Sequence, residues 1–112
     1  PYSVLPGNHD GFSSRNPTPS TAMYRRYFPA SRFARYPWFG GSEGDNSYFL
    51  FRAGGMEFLV VNLRFGPTDE DLRWADGVLK RYPKRKAIVA THAYLYHDNT
   101  RLGPGDDYSP KK

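Results

Sequence analysis

The sequence predicts an α/β fold, and three features support this assignment. Two apolar strands form a hairpin, a well-capped helix follows them, and a further apolar strand comes after the helix. A strand, a helix and a strand in this order form a right-handed crossover, so the two strands are expected to run parallel. The chain has 112 residues, which is enough for one modest domain.

The first part of the chain shows mainly loop signals. Residues 2–5 form a short apolar run that is predicted to be a buried strand. Residues 11–22 are rich in Gly, Ser, Asn, Pro and Thr, which indicates a loop. Residues 23–28 are predicted to hold one helical turn that ends at Pro29, and residues 29–46 are predicted to be loop-like.

The elements that follow are signalled more clearly. Residues 47–52 and 56–63 are predicted to pair as a hairpin around an Ala-Gly-Gly turn. The second of these strands is apolar on both faces, which favours a central position in the sheet. Thr68 is a good N-cap for a helix with acidic residues in its first turn and basic residues in its last, ending before Pro83. Residues 86–91 are predicted to form the next buried strand.

Composition excludes several classes of protein. The chain has no cysteine, which excludes a disulfide scaffold, a thiolate zinc site and a cysteine nucleophile. No apolar run approaches the length of a membrane span. The net charge of +5 favours anionic partners, which include phosphoesters and nucleic acid alike. Neither the cellular compartment nor the oligomeric state follows from these features.

Polar side chains stand at the ends of two predicted strands. The block Gly-Asn-His-Asp at residues 7–10 places Asn8 and His9 after the first strand, and His92 follows the last. In open α/β sheets, ligands and metals bind at the carboxyl ends of the strands. Parallel strands end at the same edge, so these side chains are expected to share one site. An amide oxygen with an imidazole suits divalent-metal hydrolysis of a phosphoester.

In their order and spacing these residues resemble the calcineurin-like metallophosphoesterases. Four motifs carry the resemblance: Gly-Asn-His-Asp at 7–10, an apolar strand at 58–62 that ends in Asn, Asp-Leu-Arg-Trp at 71–74, and Thr-His-Ala-Tyr-Leu at 91–95. The last motif is similar to bacterial members whose physiological substrate is unassigned. The resemblance covers residues 2–97 and implies part of a layered metallophosphoesterase β-sandwich flanked by helices.

The resemblance also implies a role for each matched residue. Asn8 and His92 correspond to ligands of the second of two metal ions, His9 to the general acid and Asp10 to the partner that orients it. The implied cofactors are two divalent ions (Mn, Fe or Zn), which activate a hydroxide for attack on a phosphoester substrate. Phosphatase and phosphodiesterase activities both fit this chemistry.

Three family motifs are absent from the chain. These are an opening Asp-x-His, a Gly-Asp-x-x-Asp that supplies the bridging carboxylate, and a closing Gly-His-x-His. We therefore expect residues 1–112 to be a partial domain that lacks the N-terminal and C-terminal metal-binding motifs and is inactive alone. In the alternative interpretation the segment is a non-catalytic, basic anion- or nucleic-acid-binding fragment, although no recognised nucleic-acid-binding motif supports it.

A group of arginines is interleaved with aromatic residues between positions 24 and 39. The arginines are Arg25, Arg26, Arg32 and Arg35. In one interpretation the aromatic rings cover the sheet and the arginines are solvated. In the other, the segment is a substrate-binding wall in which guanidinium groups bind phosphate. His97 is expected to be a solvated loop residue. Loop positions are also expected for the carboxylates Asp45, Asp98, Asp106 and Asp107.

Overall fold

The α/β fold class is confirmed by a computed structural model, which describes residues 1–11 and 20–106. Its elements are a 3₁₀ turn (Asn8–Asp10), α1 (Ala22–Tyr27), α2 (Ala30–Phe33), β1 (Phe39–Glu43), β2 (Asn46–Ala53), β3 (Met56–Asn62), α3 (Asp69–Arg81) and β4 (Lys86–Ala90). The strands form one mixed sheet in the order β1-β2-β3-β4. Most of the loop predicted at 11–22, and Asp107, lie outside the described residues.

The predicted hairpin and the predicted parallel pair are both confirmed. β2 pairs antiparallel with β3, and β3 pairs parallel with β4. β3 is thus a central strand, as predicted, and its Leu59 and Val61 are fully buried. Asn62 at the end of β3 lies opposite Ala90 at the end of β4, so the two strands end at the same edge of the sheet.

Helices pack on both faces of this sheet. Tyr48 on β2 joins Leu59 and Val61 in a core closed by Ala75 and Val78 of α3. The remaining members of that core and the side chains packed around it are Leu63, Leu50, Trp74, Leu79 and Tyr82. Neighbouring side chains of a strand point to opposite faces, and Phe49 accordingly contacts Phe33 of α2 with ring centroids 5.8 Å apart.

The start of α3 follows the predicted capping pattern. The Thr68 hydroxyl accepts a hydrogen bond of 3.3 Å from the Asp71 backbone N–H, and the Asp71 carboxylate accepts one of 2.7 Å from the Thr68 N–H. Although burial acts to raise the pKa of Asp71, hydrogen bonds from Thr68 and Asn46 and the charge of Arg64 hold it below its usual range. This reciprocal cap fixes where the crossover helix begins.

The prediction of a buried strand at residues 2–5 is wrong. This segment is not part of a strand among the described residues, and Tyr2 is exposed. The Val4 carbonyl accepts hydrogen bonds from the side chains of Tyr24 and Asn62 instead of a backbone ladder. An apolar run favours a strand only where a neighbouring strand can pair with it, and none does so within the described part of the chain.

The predicted burial of the last strand is also wrong. β4 exists at the predicted place, but Ile88 and Val89 remain 47% and 53% exposed. Among residues 1–11 and 20–106, β4 pairs with β3 alone, so it forms an edge of the sheet. A continuous apolar run indicates burial on both faces only when elements on both sides cover it.

The loop-like prediction for residues 29–46 is wrong as well, because this stretch contains α2 and β1. Gly40 lies within β1. A Cβ atom at Gly40 would overlap the Tyr48 ring of the neighbouring strand, so the glycine permits this close packing. The helical turn predicted at 23–28 is confirmed as α1 (Ala22–Tyr27).

No helix in the described ranges is both long and apolar enough to cross a membrane.

Candidate functional site

The structure brings Asn8 and His92 into direct contact. Asn8 begins the 3₁₀ turn, and His92 lies two residues beyond the end of β4. The Asn8 Oδ1 and His92 Nε2 atoms are 3.1 Å apart, although 84 positions separate the residues in the chain. The edge of the sheet at which β3 and β4 end therefore carries an amide oxygen and an imidazole nitrogen side by side.

The turn that presents Asn8 is held by its own residues. The Asp10 carboxylate accepts a hydrogen bond of 2.8 Å from the Gly7 backbone N–H, and the Asp10 N–H donates one of 3.1 Å to the Gly7 carbonyl. A Cβ atom at Gly7 would lie 3.3 Å from the His92 ring, which is tighter than ordinary packing. Glycine at this position allows the turn to approach His92 closely.

A buried network anchors the segment that leads into this turn. The Val4 carbonyl accepts hydrogen bonds from Asn62 Nδ2 at 3.2 Å and from the Tyr24 hydroxyl at 3.3 Å. Asn62 is 2% exposed. Burial, together with the negative charges of Asp45 and Asp10, raises the pKa of Tyr24 to about 12. The sequence marked Asn62 only as the end of a strand, and its contact with Val4 has no local signal.

His9 and Asp10 occupy the same turn and are both exposed. The Asp10 carboxylate is bonded to the Gly7 N–H, and within the described residues it makes no hydrogen bond to the His9 imidazole. The observed contact gives Asp10 a part in shaping the turn. The predicted roles of His9 as general acid and of Asp10 as its orienting partner remain predictions.

The spacing of the Asn8 and His92 donor atoms fits a divalent ion. Metal–ligand bonds of about 2.1 Å at right angles place two donor atoms about 3.0 Å apart, and the observed distance is 3.1 Å. The described part of the chain holds no group of three or more His, Cys, Asp or Glu side chains that could bind a metal. Two donor atoms alone do not complete a coordination shell, and metal binding by Asn8 and His92 remains a prediction.

Asn8 and His92 open onto a pocket of about 310 Å³. Its remaining lining consists of Phe65, Leu95, Tyr96, His97 and Leu102. His97 is exposed in a loop, as expected, but it also faces this pocket. In the sequence, the only indication that His97 lies near the pocket is its position five residues after His92.

Three of the four arginines between positions 24 and 39 bond to other groups of the protein. Arg25 forms an ion pair of 2.6 Å with Asp45, whose side chain is 4% exposed and which also accepts a hydrogen bond of 2.6 Å from Thr21. Arg32 donates a hydrogen bond to the Tyr27 carbonyl, and Arg35 donates one to the Tyr36 hydroxyl. Asp45 lies in the turn between β1 and β2, as expected of a loop carboxylate, but its side chain is buried.

The aromatic residues of the same segment cover the sheet. Phe33, which is 3% exposed, lies at their centre. Its ring centroid is 5.6 to 6.3 Å from those of four neighbours, Tyr2, Trp38, Phe39 and Phe49. This packing agrees with the first of the two interpretations of the segment. None of the four arginines is among the residues that line the pocket beside Asn8 and His92, and their binding of substrate remains a prediction.

The chain is similar to a known protein family and to a bacterial protein. The family described as calcineurin-like phosphoesterase matches residues 1–111. The uncharacterized protein YvnB of Bacillus subtilis (strain 168) is 36% identical over 108 residues, which are 95% of this chain. The matched part is 8% of the length of YvnB. No solved structure matches the chain.

Proposed function

The chain belongs to the calcineurin-like phosphoesterase family, and we propose that it forms part of the active site of a metal-dependent phosphoester hydrolase. The observation that carries the proposal is the contact between Asn8 and His92, whose donor atoms lie 3.1 Å apart beside a pocket. The family consists of hydrolytic phosphoesterases that usually bind divalent metals, and an oxygen donor beside an imidazole suits Mn, Fe or Zn.

In this proposal Asn8 and His92 contribute two ligands to one of two divalent ions. When bound, such ions supply a hydroxide nucleophile at neutral pH and neutralise charge on the phosphoryl oxygens. The Asn62 amide and the Tyr24 hydroxyl fix the backbone four residues before Asn8, so they hold its amide oxygen in place. Gly7 lets the turn lie against the His92 ring.

His9 serves as the general acid of the reaction. It is adjacent to Asn8 in the turn, exposed to solvent and not among the described residues that line the pocket, so the proposal requires its imidazole to reach the leaving group from the solvent side of the pair. A proton donated from its imidazole to the departing oxygen neutralises the charge that develops there as the bond to phosphorus breaks. Asp10 supports this role by closing the turn through its bond to the Gly7 N–H.

We further propose that residues 1–112 are part of a larger catalytic domain. The motifs that supply the bridging carboxylate and the remaining histidine ligands in the family are absent from this sequence. Since two donor atoms do not complete a coordination shell, the chain alone is expected to have no phosphoesterase turnover. The complete protein would contribute the other ligands from elsewhere in its sequence.

Metal content and turnover measured together on the complete protein test this function. Purified protein reconstituted with Mn²⁺ should hydrolyse an aryl phosphate, and both Asn8→Ala and His92→Ala should weaken metal affinity by at least about 10-fold and lower turnover. Lys84→Ala, an exposed position outside the site, is the control and should leave both unchanged. Full metal content and activity in Asn8→Ala would show that the pair is not a metal site.

A further inference from the structure

The loop that follows β4 has a defined structure of its own. In this loop, residues 94–102, the Tyr96 N–H donates to the Thr100 carbonyl at 2.9 Å and the Leu102 N–H to the Tyr94 carbonyl at 3.0 Å. The Asp98 carboxylate accepts hydrogen bonds of 2.9 and 2.7 Å from the backbone and hydroxyl of Thr100. These bonds close a small hairpin beyond the end of β4.

The loop presents apolar and aromatic groups to the pocket beside Asn8 and His92. Leu95 is 66% exposed, the largest exposed fraction among the large apolar side chains described. Tyr96, Leu102 and Phe65 add apolar surface, and no Asp or Glu side chain is among the residues described as lining the pocket. Pockets that bind small ligands are lined mainly by apolar and aromatic side chains, as this one is.

We propose, on the basis of the function proposed above, that this pocket binds the alcohol part of the phosphoester and selects alcohols that carry an aromatic ring. A phosphoryl group held beside Asn8 and His92 places the rest of the ester along the same pocket, since the pair forms part of its lining. The absence of carboxylates from the described lining avoids repulsion of the anionic substrate.

The size and the rings of the pocket identify the class of alcohol. A volume of about 310 Å³ lies at the lower end of the range for ligand sites, so the pocket suits a single ring system rather than a polymer. The Tyr96 and His97 rings lie 4.1 Å apart between centroids and are inclined by 59° to each other, so they form an angled aromatic surface that the ring of an alcohol can contact through its face or its edge. Leu95 and His97 are therefore specificity-determining residues in this proposal.

Two esters whose alcohols have similar acidity isolate this effect from the chemistry. In the complete protein, kcat/KM for 2-phenylethyl phosphate should exceed that for ethyl phosphate by about 10–100-fold. In this proposal Leu95 contacts the ring of the larger alcohol, so Leu95→Ala should lower this ratio about 10-fold. Leu95 is exposed, so its truncation leaves the core intact. Leu72→Ala removes an exposed leucine of α3 and should leave the ratio unchanged.

A binding measurement separates failure of the pocket from failure of the proposed function. 3-Phenylpropylphosphonate and propylphosphonate replace the ester oxygen of the two substrates by a methylene and cannot be hydrolysed. Calorimetry should show the first binding at least about 10-fold more tightly, with the difference reduced in Leu95→Ala. Turnover of both esters at equal kcat/KM, with equal phosphonate affinities, would overturn the pocket assignment alone. Absence of turnover of both esters would overturn the proposed function. Lower thermal stability of Leu95→Ala with an unchanged ratio would show that Leu95 packs against protein instead.

Discussion

The Asn62 side-chain amide donates a hydrogen bond of 3.2 Å to the Val4 carbonyl oxygen. This bond joins the end of the central strand β3 to the segment that leads into the turn carrying Asn8. Asn62 is 2% exposed, and a buried amide that loses its partner is costly. We infer that Asn62 is a positioning residue, which acts on the site through the backbone at Val4.

Replacement of Asn62 should therefore affect both stability and metal binding. Asn62→Ala leaves the Val4 carbonyl with the Tyr24 hydroxyl as its remaining donor. We expect a loss of about 1–3 kcal/mol in the free energy of unfolding and about 10–100-fold weaker metal affinity. Chemical denaturation and metal titration of the complete protein measure the two effects.

Asn46→Ala is the matched control for this prediction. Asn46 is buried to the same 2%, and its side chain makes two polar contacts, with the Arg64 N–H and the Asp71 carboxylate, which fix the start of α3. Its replacement should destabilise the protein to a similar degree without a change in metal affinity. Equal losses of metal affinity in both variants would show that Asn62 contributes only to overall stability.

The raised pKa of Tyr24 predicts that the stability of the protein falls at high pH. Burial, with the charges of Asp45 and Asp10, raises its pKa to about 12 in the folded protein, whereas an unfolded tyrosine ionises near pH 10. Deprotonation thus favours the unfolded state between these values, and the contribution of Tyr24 is fully present below about pH 10 and lost as pH rises toward 12. Denaturation at several pH values should show a smaller loss over this window in Tyr24→Phe; an identical loss would contradict the prediction.

The two interpretations of the arginine segment differ in what Arg25→Ala changes. Its ion pair with the buried Asp45 predicts a loss of about 1–2 kcal/mol of stability, a value reduced because the Arg25 side chain is 60% exposed. Arg26 is exposed and has no ion-pair or hydrogen-bond partner among the described residues, so Arg26→Ala should leave stability unchanged. KM should be unaltered in both variants. A higher KM at unchanged stability would instead establish the substrate-binding wall.

The parts of the fold that the sequence predicted correctly are those with local signals. Alternating or continuous apolar residues define the β2–β3 hairpin, and Thr68 and Asp71 define the start of α3. These two predictions depend on residues close together in the chain. Asn8 does lie near His92, as expected, but the premise that both follow parallel strands holds only for His92, because residues 2–5 are not a strand.

The errors concern partners that a local pattern cannot specify. The exposure of Val89 depends on what lies beyond β4, and the absence of a strand at residues 2–5 depends on side chains that bond to Val4. Gly40 carries the same signal in a loop as in a strand that must admit the Tyr48 ring. The contribution of His97 to the pocket was missed for the same reason, since it depends on how the loop after β4 folds back.

The role of His9 leads to the most discriminating prediction. Asn8 and His9 are adjacent, yet only Asn8 contacts His92, so the two side chains can be assigned separate tasks. A general acid matters most when the leaving group is poor, because it neutralises the charge developing on the departing oxygen. In the complete protein, His9→Ala should keep its metal and lose about 10²–10⁴-fold in kcat for an alkyl phosphoester. The loss should be much smaller for a nitrophenyl ester, whose leaving group needs no proton.

Asn8→Ala should lose metal and should slow both esters to a similar extent. Metal analysis combined with rates on the two esters distinguishes these outcomes. Loss of metal from His9→Ala would show that His9 binds metal, and equal rate losses on both esters would show that it is not the proton donor.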